Sequence, residues 1–384
     1  MSGDLEDFRF SLLEWFKSNG RHWIPWKLKP DGLIPKKGEA LSVYGIWIAE
    51  VMLQQTQLKV VLPYWERWMK RFPTLIDLVT AEEQDVLLCW QGLGYYSRAK
   101  RIYKAGNILI NLIGRSDCLN PYFWPKEIDI WLDLPGIGRS TAGSIISSAF
   151  DLPTPLLDGN LKRIFSRLSA SQIPPNKNQI SLWQISQNLI DKKYPRDFNQ
   201  ALMDLGARIC TVNNPSCSIC PISQHCLAFI LYDSKDFPIK DLKKPIPVYV
   251  VGIAIVINSY GEVLIAQRSE TTNMGGMWEF PGGKQEGKEP IKLTIAREIK
   301  EEVDIDISVG QQLIEFDHAY THRKIHFVVH VCDLITGNAK PLASQQIRWV
   351  IPSKLNNYPF PAANSRIIAA LNEYLLLGKQ TTND

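Results

Sequence analysis

The chain has 384 residues, of which 45% are apolar and 21% charged, and carries a formal net charge of +4. That is the make-up of an ordinary soluble globular protein with room for two or three domains, each with its own core. It excludes a membrane span, because no apolar run approaches the roughly 18 residues a bilayer requires, and no secretory leader opens the sequence; a cytoplasmic protein is expected.

In chain order, helical periodicity recurs over Leu5–Lys17, Tyr44–Arg71, Glu82–Trp90, Ala99–Ile113, Thr141–Phe150 and Asn178–Leu189, so residues 1–232 read as an all-α domain. Pro238, Pro245 and Pro247 lie among Lys240, Lys243 and Lys244, which marks 233–247 as a linker. The β-branched runs Val248–Ile257 and Val263–Gln267 flank a turn at Asn258–Gly261 and predict a hairpin. A helix over Ile291–Val303, strands over Ile325–Cys332 and Ile347–Ile351, and a helix over Ser365–Leu377 complete an α+β domain over 248–378. The expected fold class is therefore multidomain, all-α followed by α+β.

Four of the seven cysteines, Cys210, Cys217, Cys220 and Cys226, fall in a C-x6-C-x2-C-x5-C tract. Four thiolates at such density repel one another unless a metal neutralises them. Thiolate ligation suits zinc or an iron–sulfur cluster equally, and a disulfide pair is disfavoured without a secretory context. The spacing resembles the [4Fe–4S] loop of the endonuclease III superfamily of DNA glycosylases. That likeness implies a cluster set apart from the chemistry, ordering a loop that meets DNA, with Lys192, Lys193 and Arg196 available for phosphates.

Leu134-Pro-Gly-Ile-Gly-Arg-Ser-Thr141 lies between helical segments, about 130–146. Gly136 and Gly138 permit a tight turn and a close approach, and the following helix offers unpaired amides to a phosphate. The tract resembles the helix–hairpin–helix of the same superfamily. Members that also cleave the strand carry a lysine where this chain has Ser140; a serine cannot form a Schiff base, so the resemblance implies a monofunctional glycosylase rather than an endonuclease III-like lyase.

Glu50 sits in an apolar stretch, where burial raises a carboxyl's proton affinity towards that of a useful general acid; the plainer reading is a glutamate satisfied by an arginine. Glu50-Val-Met-Leu-Gln-Gln-Thr-Gln57 resembles the MutY-type adenine DNA glycosylases, in which the glutamate protonates adenine. By that likeness Gln55 wedges into the base stack and Tyr95, in Gly92-Leu-Gly-Tyr-Tyr96, stacks on the lesion pair. Asp158, in Leu157-Asp-Gly-Asn-Leu-Lys-Arg163, reads on its own as a helix cap; the MutY-type resemblance implies that it is the second catalytic carboxylate, with Asn160 near the sugar. Breaking an N-glycosidic bond calls for both an acid on the base and an anion beside the cationic sugar. The segment Asp117–Glu127, with Trp124 and Pro125, reads as a surface elaboration.

Gly283-x5-Glu289-x7-Arg297-Glu298-Ile299-x-Glu301-Glu302-x-Asp304-Ile305 resembles the Nudix box, with Asp304 replacing a glycine. Glu298, Glu301 and Glu302 share one helical face, where Arg297 offsets only one charge, and Mg2+ bridging to a diphosphate would rationalise the cluster; the alternative is a solvated acidic face. Within the MutY-type family this domain reads 8-oxoguanine, and Tyr320-Thr321-His322 is similar to its lesion-reading loop. The domain also resembles 8-oxo-dGTP pyrophosphatases of the MutT type, which would assign Arg268 to phosphate and Asn364 to the oxidised base. The implied partners are duplex DNA bearing A:8-oxoG or A:G mispairs and, as a second activity, 8-oxo-dGTP. The chain is expected to be a monomer; a non-catalytic lesion binder would need neither Glu50 nor Asp158.

Overall fold

A computed structural model of the protein describes residues 2–241, 246–272, 274–320 and 323–380. The chain divides into two compact units: Met1–Thr80 with Arg101–Lys243, and Ala81–Lys100 with Lys244–Asp384. No helix among the described residues is long and apolar enough to cross a membrane.

The helices, in order, are α1 (Ser2–Asn19), α2 (Val43–Leu53), α3 (Leu58–Arg71), α4 (Leu75–Thr80), α5 (Glu83–Trp90), α6 (Ser97–Ile113), α7 (Ile128–Leu132), α8 (Arg139–Phe150), α9 (Gly159–Leu168), α10 (Gln179–Leu189), α11 (Pro195–Arg208) and the short α12 (Leu227–Leu231). The single periodic run expected over Tyr44–Arg71 is two helices. The chain breaks at Gln54–Gln57, with Gln55 left-handed at φ 59°, a conformation no continuing helix admits. In the first unit α2 is buried nearly all round and packs on α8, which in turn packs on α11. A second apolar layer joins Phe8, Leu12 and Phe16 of α1 to Leu161 and Phe165 of α9 and Phe198, Leu202 and Leu205 of α11.

Two readings of this unit are corrected. Trp124 is 3% exposed, stacks on Trp131 with ring centroids 6.2 Å apart and donates to Cys118 O, so with the buried Pro125 it belongs to the interior; the exposed large hydrophobic residues of that segment are Leu119, Tyr122 and Phe123. Arg196 is buried and donates to the carbonyls of Ser148, Ala149 and Glu39, so it is not free for phosphate.

In the second unit a mixed sheet is built from β1 (Val248–Ile257), β2 (Val263–Arg268), β3 (Trp278–Glu279), β4 (Gly282–Lys284), β5 (Asp306–Ala319), β6 (Lys324–Thr336) and β7 (Ser344–Val350). Its order is β3-β2-β1-β6-β5, with β4 beside β1 and β7 beside β2. The hairpin closes at Ile257↔Val263 as expected, and β1 runs parallel to β6 from Val248↔Lys324 to Ile257↔Asp333. Alternation along β1 covers both faces. Ile253 and Ile255 pack under Ile367 and Leu371 of α14 (Asn364–Gln380), while Ala254 and Val256 pack under Ile295, Ile299 and Val303 of α13 (Ile291–Val303).

Candidate active site

The α2 sequence is apolar on every side except Glu50, and the helix carries that carboxyl half-buried to the edge of a cleft of about 590 Å³. Asp158 lines the same cleft, so 107 intervening residues fold back to bring the two acids together. Burial pushes Glu50 up to about 7; a hydrogen bond with Ser144 and the charge of Lys27 oppose the rise, and the charge of Asp158 adds to it. Among the described residues no arginine pairs with Glu50 in the way the plainer reading supposed; the groups that act on it are Ser144, Asp158 and Lys27.

Asp158 does cap a helix. Its Oδ1 accepts from Leu161 N at 2.8 Å at the start of α9, and its Oδ2 accepts from Asn160 Nδ2 at 3.3 Å. Burial raises its proton affinity, and these donors with Arg163 work against that rise. Capping fixes the carboxylate's direction without removing it from the cleft, so the two readings of Asp158 are compatible. Asn160 Oδ1 in turn accepts from Arg163 Nη2 at 2.9 Å, and Arg163 Nε donates to Cys210 O at 2.7 Å. Hydrogen bonds therefore run without a gap from Asp158 to the cysteine tract.

The four cysteines surround one small cavity walled by Ile164, Leu205 and Ile222, and none is disulfide-bonded. Burial, followed by the neighbouring thiols, pushes Cys220 up to about 12. Arg167, 1% exposed, donates to Cys210 Sγ at 3.1 Å and to the carbonyls of Thr211, Val212, Ser234 and Phe237. A buried guanidinium with no carboxylate among these acceptors favours an anionic sulfur site. Among the described residues no three His, Cys, Asp or Glu side chains converge tightly enough to hold one metal ion.

Gly136 needs its glycine for two reasons: φ is +84°, and a Cβ would fall 2.8 Å from the Arg101 side chain. Gly138 differs, for it is extended, exposed and has nothing within 4 Å of where a Cβ would sit. It precedes α8 without a side-chain cap, leaving that helix's first amides open. Ser140 Oγ accepts from Leu157 N at 3.1 Å, and Gln54 Nε2 ties the α2–α3 break to Gly136 O and Thr141 Oγ1. Gln55 is exposed on that break.

The second unit has its own cleft, of about 540 Å³, lined by Tyr95, Tyr96, Met274, His318, Tyr320 and Arg323. Tyr95 is 43% exposed and left-handed at φ 49°, while His318 and Tyr320 meet with ring centroids 4.6 Å apart. Thr321 and His322 lie outside the described residues. On α13, Arg297 pairs with Glu289, Glu298 and Glu301 at 2.8, 3.0 and 3.2 Å, so its single charge is shared among three carboxylates, two of them from the expected cluster. Glu302 accepts from Gly282 N at 3.1 Å, and burial beside Glu279 raises it to about 7. A Cβ on Gly283 would fall 2.1 Å from the Glu298 carboxyl, so glycine lets α13 approach β4. Arg268 is paired with Glu279, and Asn364 is buried with an Oδ1 that has no hydrogen-bond partner among the described residues. Asp304 takes the left-handed residue after α13 (φ 56°), held by Lys300 and Lys340, and so does the conformational work of a glycine.

Residues 48–187 match the HhH-GPD superfamily of base excision DNA repair proteins, and residues 252–370 match the NUDIX domain. The helical portion is similar in fold to a thermostable thymine-DNA glycosylase (TM-score 0.50, 22% identity, 60% of this chain and 98% of that one). Helical unit and two-acid cleft together define a DNA glycosylase of the base excision repair class, carrying an appended Nudix domain. An adenine DNA glycosylase of Buchnera aphidicola (from Acyrthosiphon pisum) is 32% identical over 83% of both chains, and the human adenine DNA glycosylase is 30% identical over 94% of this chain and 73% of its own. The chain belongs to the adenine DNA glycosylase family.

Proposed function

We propose that this chain excises adenine mispaired with 8-oxoguanine or guanine, as a monofunctional glycosylase. The carrying observation is the shared cleft of Glu50 and Asp158. A buried base cannot be reached within the duplex, so adenine must first be extruded. Glu50, protonated to a useful extent near neutrality, gives its proton to a ring nitrogen of adenine as the glycosidic bond breaks and the bond electrons pass to the base. The Asp158 carboxylate, oriented by Leu161 N and Asn160, stabilises the cationic deoxyribose or captures it until water adds. Ser140 supplies no amine for strand cleavage. The open turn at Gly138 and the bare start of α8 suit a DNA phosphate. Glu50→Gln should bind an A:8-oxoG duplex normally yet lose roughly 10²–10⁴-fold in single-turnover excision; excision close to wild type would remove Glu50 from the acid's role.

Cys210, Cys217, Cys220 and Cys226 suit a [4Fe–4S] cluster. The C-x6-C-x2-C-x5-C spacing supports that reading, and the buried Arg167 that donates to Cys210 Sγ suits an anionic sulfur site. When bound, the group would fix the 210–226 loop for DNA contact.

In the second unit Tyr95 and Tyr320 offer rings on which the opposing oxidised base can stack, with Thr321 and His322 completing the reader. Buried Glu302 beside Glu279 and Glu298 favours a second reading, Mg2+-dependent hydrolysis of 8-oxo-dGTP, with Arg268 on phosphate and Asn364 on the base. Turnover of 8-oxo-dGTP that Glu302→Gln abolishes would support this second activity; none, from protein that still excises adenine, would leave the domain as a reader.

A further inference from the structure

The cleft that holds Glu50 and Asp158 also holds an ammonium. Lys27 follows Trp26 in the segment between α1 and α2, its side chain is 12% exposed, and it lines the cleft together with both carboxyls. Its Nζ has no hydrogen-bond partner among the described residues and lies 3.6 Å from Asp204 Oδ1. Asp204 is fully buried, and Arg21 already engages both of its oxygens: the backbone N at 2.6 Å from Oδ2, Nη2 at 2.6 Å and Nε at 2.8 Å from Oδ1. Most of the Asp204 charge is thus compensated before Lys27 arrives. A mostly buried ammonium left short of acceptors is costly unless another anion shares its surroundings.

We infer that Lys27 is a positioning residue of the excision site: seated against Asp204, its ammonium favours the anion that Glu50 becomes once its proton has passed to the base. The inference rests on Glu50 being the acid.

The groups around Lys27 decide which anion it serves. Arg21 and His22 come from its own segment, Asp204, Asp197 and Arg196 from α11, Asp158 and Arg163 from α9, Glu50 from α2 and Lys59 from the start of α3, and the Phe16 ring of α1 lies 5.7 Å from Nζ. Asp158 is occupied by the amide of Leu161, by Asn160 and by Arg163. Among the described residues Glu50 has the Ser144 hydroxyl as its hydrogen-bond partner. Burial lowers Lys27 to about 8, against the pull of Asp204, so it remains cationic at neutral pH while Glu50 still carries a proton part of the time. A cation held there makes Glu50 a stronger acid and lowers the cost of the proton transfer.

The test is single-turnover excision of adenine from an A:8-oxoG duplex against pH, with the Kd for that duplex measured in parallel, for wild type, Lys27→Met, Lys27→Gln and Lys27→Arg. Removing the cation raises Glu50's proton affinity. The alkaline limb of the profile should therefore move up by about one pH unit in the Met and Gln variants, and their plateau should fall roughly tenfold. The Arg variant, which keeps a charge, should return the limb to the wild-type position. A lower plateau with an unmoved limb in both neutral variants, at unchanged Kd, would overturn the inference and leave Lys27 a packing residue. If Glu50→Gln excises at the wild-type rate, the acid assignment fails and takes the Lys27 inference with it; if Glu50→Gln is inactive and the limb does not move, the Lys27 inference alone fails.

Discussion

Glu50 shows how one carboxyl is made an acid by its setting. It stands in an apolar helix among the buried Ala49, Val51 and Met52, and the burial of its own carboxyl is the largest influence raising it to about 7. The sign of the pH dependence follows. The Glu50 proton must be present for excision, so the rate should fall as pH rises through about 7, measured on a pre-bound duplex so that DNA affinity does not intrude. A rate that instead rose through that range would make Glu50 a base. Asp158→Asn should keep the cap on α9, because an amide oxygen still accepts from Leu161 N, yet lose excision by orders of magnitude. The acidity of Glu50 was legible in sequence because a carboxyl stood in an apolar run. Lys27 was not, because nothing in Trp26-Lys27-Leu28 tells a buried lysine from an exposed one.

At the scale of elements, the chemistry depends on turns more than on helices. The break between α2 and α3 exposes Gln55 and lets Gln54 reach Gly136 and Thr141, so the base-side loop and the helix–hairpin–helix turn are tied together. Periodicity ran straight across this break, since Leu53 and Leu58 both keep the apolar pattern and the left-handed residue is a glutamine rather than a glycine. Helices α9 and α11 also escaped a purely periodic reading. Their buried faces include Arg163 and Arg167, and Arg196, Asn199 and Asp204, whose polar groups are satisfied internally. Helix α8 offers a sharp test. A Cβ on Gly143 would lie 2.3 Å from Pro155 O, a backbone atom in the strap that leads to Asp158. Gly143→Ala should therefore destabilise the fold by about 1–3 kcal/mol, read as a lower Tm, with excision falling as the strap shifts. An unchanged Tm would show that the contact yields freely. In the second unit Asp304 replaced an expected glycine without loss of the turn, because aspartate tolerates the left-handed region and two lysines hold it there.

For the molecule as a whole, the helical unit, the hairpin and the box were legible in sequence, because apolar period and fixed motif spacing survive without coordinates. What escaped was long-range. Residues Ala81–Lys100 group with the second unit, where Gln84 donates to Gly276 O and Tyr96 to Phe360 O, so the α5–α6 loop with Tyr95 helps form the aromatic cleft of the Nudix unit. No local pattern announces such a partition. The cysteine tract is the other whole-molecule feature. Protein purified without oxygen should carry about four irons per chain if the cluster assignment holds. Stripping them should weaken duplex binding more than it alters overall helicity, since the loop is a small part of the helical unit. Stoichiometric zinc in place of iron would contradict that assignment. The most direct test of the central claim is to incubate the iron-loaded protein with duplexes carrying adenine opposite 8-oxoguanine, guanine or thymine, and to assay the free base released. We predict free adenine from the first two and none from the third, with the strand left uncut until alkali is added. No adenine from the 8-oxoguanine duplex, by protein that binds it, would contradict the account.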